Sequence, residues 1–252
     1  MKLSKSRILV AVVLAAVLMS VLASCGGPKE DLVMATNAAF PPYEYRDEGD
    51  KIIGIDAEIM EAIAKEIGMN LVIEDMEFDS IIPAVQSGKA DVGAAGMTIT
   101  DERLQTIDFS KSYTTAKQVI IVPADSAIAS PDDLNGKIIG VQLGTTGDLY
   151  MTWDYEDEGL ATVERYNKGN EAVLALSQGK IDAVVIDNEP AKVFVEQTEG
   201  LKILETEYVI EEYALAISKD KPELLEKVNN ALTKLQDNGS IQKIIDKYIT
   251  AD

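Results

Sequence analysis

Apolar positions along the chain change their spacing from segment to segment, and the spacing names the elements. Leu32-Val33-Met34-Ala35-Thr36 is a short continuous run of the kind that fills a buried strand, whereas Ile55, Ile59, Ile63 and Ile67 recur at the interval of one helix face. Between them, Asp47-Glu48-Gly49-Asp50 separates Tyr43-Glu44-Tyr45 from Ile52-Ile53 and reads as a turn. Toward the carboxyl end, 222–235 and 240–249 read as amphipathic helices parted by Asn238-Gly239. Short strands alternating with helices predict an α/β protein built on parallel sheets.

One stretch is repeated in outline. Ala84-Val85-Gln86-Ser87-Gly88-Lys89-Ala90-Asp91-Val92 is answered about 90 residues later by Ala175-Leu176-Ser177-Gln178-Gly179-Lys180-Ile181-Asp182-Ala183. Each reads as a helix end, a glycine stop and a polar step into a buried strand. The offset is the size of one lobe and predicts two similar α/β units, although common helix-to-strand loop chemistry could produce the same match.

The amino-terminal pattern is of another kind. Lys2, Lys5 and Arg7 precede an apolar run over 8–23 broken only by Ser20, which predicts an export signal. At about 16 residues the run falls short of the ~20 that span a membrane as a helix. Leu22-Ala23-Ser24-Cys25 resembles the lipobox of bacterial lipoproteins, which implies that Cys25 becomes the lipidated first residue of the mature chain. An ordinary cleavage site beside an incidental cysteine is the other reading. Gly26, Gly27 and Pro28 read as a tether, and roughly 220 residues follow, enough for one large domain or two lobes.

Composition removes several chemistries. Cys25 is the only cysteine and there is no histidine, so a cysteine nucleophile, a Ser-His-Asp triad, a disulfide framework and a Cys/His zinc site all lack parts. The formal charge of −20 argues against nucleic acid as a partner.

Three segments carry candidate chemistry. In Asp91-Val92-Gly93-Ala94-Ala95-Gly96-Met97-Thr98-Ile99-Thr100-Asp101-Glu102-Arg103, a buried strand runs into small residues and Thr100 can cap a helix. Gly96 would let a ligand approach the main chain, and Arg103 offers a planar fork for a carboxylate. A capped helix with a surface arginine fits the same residues. Val141-Gln142-Leu143-Gly144-Thr145-Thr146-Gly147-Asp148 repeats the pattern without the lysine of a nucleotide-phosphate loop, and is either a plain strand-to-helix loop or a site for a single carboxylate or amide edge. Asp187 stands at the carboxyl end of the apolar run 183–186, where open α/β sheets bind ligands; an ammonium is its natural partner, and capping the segment that begins at Pro190 is the alternative.

Together these stretches carry a family resemblance. Asn37-Ala38-Ala39-Phe40-Pro41-Pro42-Tyr43-Glu44, Gly54-Ile55-Asp56, Phe78-Asp79-Ser80-Ile81-Ile82-Pro83, Thr98 with Arg103, Ile107-Asp108-Phe109-Ser110, Gly144-Thr145-Thr146 and Ile186-Asp187 resemble, in order, the bacterial solute-binding proteins for polar amino acids, close to glutamine- and histidine-binding proteins of ABC transporters. The resemblance implies a two-lobed periplasmic-binding-protein (Venus-flytrap) α/β fold with two hinge crossings. By position, 30–114 and 215–252 would form the first lobe and 119–210 the second, behind a signal peptide over 1–24 and a lipidated tether over 25–29.

The same resemblance implies an extracytoplasmic, lipid-anchored monomer that binds an amino acid and delivers it to an ABC permease and its ATPase, with no cofactor, no metal and no catalysis. Arg103 would grip the ligand carboxylate, helped by Thr98 and by main chain around Ala95, Gly96 and Thr146. Asp187 would take the ammonium, Phe40 and Phe78 would sandwich the side chain, and Asn37 and Gln142 would read its far end. Ile55 stands where relatives usually have phenylalanine, which reads as a packing change.

Neutral amides at the far end favour an uncharged ligand such as glutamine; arginine is the main competitor, because amide oxygens accept from a guanidinium and Glu44 could lie close. A cyclohexadienyl dehydratase-like enzyme on the same scaffold, with Glu44 or Glu189 as acid, and an amino-acid sensor are the alternatives. Tyr43 and Tyr45 read as core or lobe surface. The acidic run 154–158 reads as a solvated face, with Glu164 one residue early for a calcium loop, and Trp153 as a packing aromatic.

Overall fold

The computed structural model describes residues 29–204 and 208–249 of the chain, so the export-signal and Cys25 readings lie outside the described residues. The first apolar run becomes β1 (Asp31–Thr36), in which Leu32, Met34 and Ala35 have no solvent exposure. It leads into a small antiparallel sheet of β2 (Ala39–Phe40), β3 (Glu44–Arg46) and β4 (Ile52–Ile53). The expected turn at 47–50 joins β3 to β4: Asp47 Oδ1 accepts from the main-chain N–H of Gly49 and of Lys51, at 2.8 and 2.9 Å.

The isoleucine face becomes α1 (Ile55–Ile67), with Ile55, Ile59 and Ile63 fully buried and Gly68 ending it at φ 79°. Next come β5 (Asn70–Asp75), α2 (Phe78–Gln86), β6 (Val92–Gly93), the one-turn α3 (Asp101–Leu104) and β7 (Asp108–Phe109). The chain then enters β8 (Thr114–Pro123), β9 (Ile138–Gln142), α4 (Thr146–Met151), β10 (Thr162–Tyr166), α5 (Gly169–Ser177), β11 (Ala183–Asp187), α6 (Asn188–Gln197) and β12 (Leu201–Ile203). It closes with β13 (Val209–Tyr213), β14 (Ala216–Ile217), α7 (Pro222–Asp237) and α8 (Ser240–Tyr248).

These strands form two larger sheets, ordered β5-β1-β6-β14-β7 and β10-β9-β11-β8-β12, with β13 also paired to β8. The protein is thus a two-lobed α/β structure. The parallel-sheet expectation holds for β5-β1-β6 and β10-β9-β11, but β8, β12, β13 and β14 run antiparallel to their neighbours. The reason is topological: β8 and β13 are the two crossings between the sheets, and each enters its sheet from the opposite end. They pair with each other from Thr114↔Tyr213 to Gln118↔Val209.

The repeated motif acquires a shared role. Gly88 and Gly179 take φ of 76° and 68° after α2 and α5. Asp91 Oδ2 then accepts from Val33 N at 2.8 Å, and Asp182 Oδ2 from Ile138 N at 2.8 Å, so each aspartate ties down the start of the neighbouring strand.

Candidate functional site

Arg103 sits in the single turn of α3, whose start is held by Thr100 Oγ1 accepting from Arg103 N at 3.2 Å. The side chain points inward and is 6% exposed. Nη1 donates to the Thr98 carbonyl at 2.7 Å, Nη2 donates to the Gly144 carbonyl of the other lobe at 3.0 Å, and the guanidinium lies 5.5 Å from the centre of the Phe78 ring. Burial lowers its pKa, opposed by Glu211 and Asp187.

Across from it, Asp187 ends β11, buried to 5% exposure. The Tyr213 hydroxyl donates to its Oδ1. Burial, then the charge of Glu211, pushes the carboxyl up to about 7. Glu211 lies on the crossing strand β13, and its Oε2 accepts from Thr98 Oγ1 at 3.1 Å and Gln118 Nε2 at 3.0 Å. Gln118 also reaches Thr146 Oγ1 at 3.4 Å. The hinge thereby touches a residue from each lobe.

All ten residues singled out from sequence, Asn37, Phe40, Phe78, Ala95, Gly96, Thr98, Arg103, Gln142, Thr146 and Asp187, line one narrow cavity. Gly96 contributes space rather than a donor: its φ is 53°, a Cβ there would stand 3.1 Å from Phe40 and from Tyr213, and its N–H is committed to Asp56 Oδ2 at 2.8 Å. The hydroxyl proton of Thr98 is likewise directed at Glu211. The two amides are pinned by main-chain carbonyls, Asn37 Nδ2 donating to Met76 O at 2.8 Å and Gln142 Nε2 to Asn167 O at 3.2 Å. Gln142 Nε2 also donates to Asn37 Oδ1 at 3.0 Å, so both amide hydrogens of Gln142 are in use and the Asn37 oxygen already accepts one of them.

Two further residues line the cavity, Thr145 and Glu44. Glu44 is 1% exposed, and neither carboxyl oxygen accepts a hydrogen bond from another group. Burial, then the charge of Asp56 and a hydrogen bond with it, hold its pKa well above the usual carboxylate range. Asp56 itself is pushed up to about 6 by burial, against donors from Gly96 N and the Tyr113 hydroxyl. Glu44 had a sequence signal: the Pro41-Pro42 reversal pairs Phe40 with Glu44 in the β2–β3 ladder, setting it beside a ring already assigned to the cleft.

Tyr43 takes the core position its pattern allowed, 1% exposed and 5.1 Å from the Tyr213 ring. The acidic run is partly tied down: Glu156 and Asp148 both pair with Arg165, at 2.6 and 2.8 Å, and the Tyr208 hydroxyl donates to Asp154.

Two mixed sheets joined by paired crossings, with one arginine and two acids facing a cavity between them, define a hinged solute-binding protein. The family model described as bacterial extracellular solute-binding proteins, family 3, matches residues 32–251, and the chain belongs to that family. The arginine-binding extracellular protein ArtP of Bacillus subtilis is 35% identical over 227 residues, covering 89% of this chain and 88% of ArtP. An ancestral arginine-binding protein bound to arginine superposes with a TM-score of 0.84 at 41% identity, covering 88% of this chain and 100% of the other. An ancestral arginine-binding protein bound to glutamine gives 0.83 at 40% identity, covering 89% and 100%. Among the described residues no helix is long and apolar enough to cross a membrane.

Proposed function

We propose that this protein captures a guanidinium-bearing amino acid, arginine above all, outside the cytoplasm and delivers it to an ABC permease and its ATPase. The carrying observation is Glu44. A zwitterionic backbone satisfies two of the charged cavity residues, its carboxylate meeting the Arg103 fork and its ammonium meeting Asp187. Glu44 is then left over. A buried carboxylate is costly unless a cation pairs with it, and a cationic side chain is the partner an amino acid can bring.

The amides support the same side chain. With both of its hydrogens spent on Asn37 and Asn167, the Gln142 amide has only its oxygen left to offer, which suits the donor-only edge of a guanidinium better than an amide that also needs a donor. The glutamine expectation counted only these neutral residues. Phe40 and Phe78 supply the walls for a stacked planar group. In this reading Cys25 carries the lipid anchor, and the protein works as a monomer.

The test is calorimetry on protein stripped of amino acid by unfolding and refolding. Arginine should bind at least tenfold more tightly than glutamine at pH 7.5. Failure of all twenty amino acids to bind would overturn the reading.

A further inference from the structure

The loop that follows β9 is gripped on both sides of Gly144. Its N–H donates to Asp148 Oδ2 at 3.0 Å, and its carbonyl accepts from Arg103 Nη2 at 3.0 Å. Gly144 itself takes φ 75°, a conformation that glycine enters without penalty. Asp148 N donates in turn to Thr145 Oγ1 at 3.4 Å, and that hydroxyl donates to Gln142 O at 2.8 Å, so the turn from Gln142 to Asp148 closes on itself.

Asp148 is held in its own right. It is buried, and its Oδ1 accepts from Arg165 Nε at 2.8 Å. Arg165 comes from the edge strand β10, and its Nη2 donates to Thr152 Oγ1 at 2.8 Å and to Glu156 Oε2 at 2.6 Å. The shape of the helix serves this grip. After Met151, α4 passes into a single π turn over Thr152–Glu156, where Asp157 N donates to Thr152 O at 2.9 Å. Four residues of α-helix overshoot a full turn and four of the wider π form fall short of one, so Asp148, Thr152 and Glu156 stay in line along one guanidinium.

A continuous line of bonds thus runs from Glu156 at the surface through Arg165, Asp148 and Gly144 to the Arg103 fork in the opposite lobe. Glu156, Arg165 and Asp148 all lie outside the cavity lining. We propose that Asp148 and Arg165 are positioning residues for amino-acid binding: by fixing Gly144 they set the plane of the Arg103 guanidinium, and with it the direction in which the fork meets the ligand carboxylate. The inference rests on the amino-acid-binding reading above and adds to it two residues that touch no ligand. The relay depends on a carboxylate at 148, because both of its oxygens accept, one from Gly144 and one from Arg165. An amide has one accepting atom and turns its NH2 toward the other donor. Arg165 likewise offers its donors in a fixed fork that a lysine lacks.

Bonds that only held the second lobe together would cost the same affinity on removal whatever residue stood at 103. A relay costs affinity through Arg103. The experiment is therefore a double-mutant cycle, read by calorimetry with arginine on the stripped full-length protein: wild type, Asp148→Asn, Arg103→Lys and the double variant. Asp148→Asn alone should weaken arginine by about tenfold or more, the worth of a hydrogen bond to a buried charge. In the Arg103→Lys background the same substitution should cost less than about threefold, because the fork it orients is gone. Arg165→Lys, at a side chain 33% exposed, should weaken binding in the same background-dependent way, and by less than Arg165→Met. Should Asp148→Asn not fold, the Arg165→Lys cycle decides by the same criterion. Equal losses in both backgrounds, or no loss in the first, would overturn the relay while leaving amino-acid capture standing. Failure of the wild type to bind arginine would remove the functional reading and this inference with it.

Discussion

Arg103 donates from one lobe to the main-chain carbonyl of Gly144 in the other, at 3.0 Å. The contact joins the residue proposed to hold the ligand carboxylate directly to the opposing wall. Gly144 allows it, since a Cβ there, at φ 75°, would stand 3.2 Å from Asp79 Cβ and force the walls apart.

Removing that fork should cost affinity steeply. Truncating one partner of a buried charge pair costs about 2 to 5 kcal/mol, or roughly 30-fold to several-thousand-fold in Kd. Calorimetry on Arg103→Ala should fall in that range. Arg103→Lys, which keeps the charge without the bidentate geometry, should lie between it and wild type. Near-wild-type binding by Arg103→Ala would place the carboxylate elsewhere.

Asp187 makes stability depend on pH in a defined direction. Its folded-state carboxyl is raised to about 7, so from the ordinary carboxylate range up to that value the folded protein holds more protons than the unfolded chain. Stability from this group is fully present below the unfolded pKa and is lost as pH rises to about 7. Without added amino acid, the melting temperature should fall between pH 5 and 7.5, and Asp187→Asn should fall less. A steeper decline in the variant would contradict the assignment.

Trp153 should report ligand binding. It is the only tryptophan, and its ring meets Tyr150 edge-on at 6.0 Å. The Tyr150 hydroxyl in turn bonds Glu211, which also accepts from Thr98 in the other lobe. Titration with arginine should change the emission saturably, with the Kd found by calorimetry. An unchanged spectrum at saturating arginine would show that closure does not reach this aromatic group.

At Gly96, substitution by leucine should damage both folding and binding, through backbone strain and lost space. The position combines φ of 53° with a Cβ contact of 3.1 Å to Phe40 and Tyr213. Strain of this kind costs about 1 to 3 kcal/mol, measurable by urea unfolding, and the larger side chain would also fill the cavity. Unchanged midpoint and affinity would mean the aromatic wall yields freely.

Cys25→Ala should abolish incorporation of a labelled fatty acid that the wild type takes up. Equal labelling of both chains would remove the lipid-anchor proposal.

The sequence made the cavity residues legible because their signals are local: small residues at strand ends, a capped turn before Arg103, an acid closing an apolar run. Ile55, Ile59 and Ile63 face the core as their spacing predicted. Strand direction was not legible, because nothing within residues 114–123 records that the chain arrives from the other sheet. Glu44 was undervalued for a related reason. Its strand is three residues long, too short for alternation to say which face is buried, and only its pairing opposite Phe40 decides the matter.

The ladder between β8 and β13 has a consequence for how the gene can be cut. Thr114 and Tyr213 face each other as Cα partners, so everything between them leaves the first sheet and returns to it at one point. The second lobe is an insert with its two ends side by side, and such ends tolerate excision, replacement or new termini. A foreign domain whose own ends lie one strand spacing apart, about 5 Å, could be spliced there without stretching the first sheet.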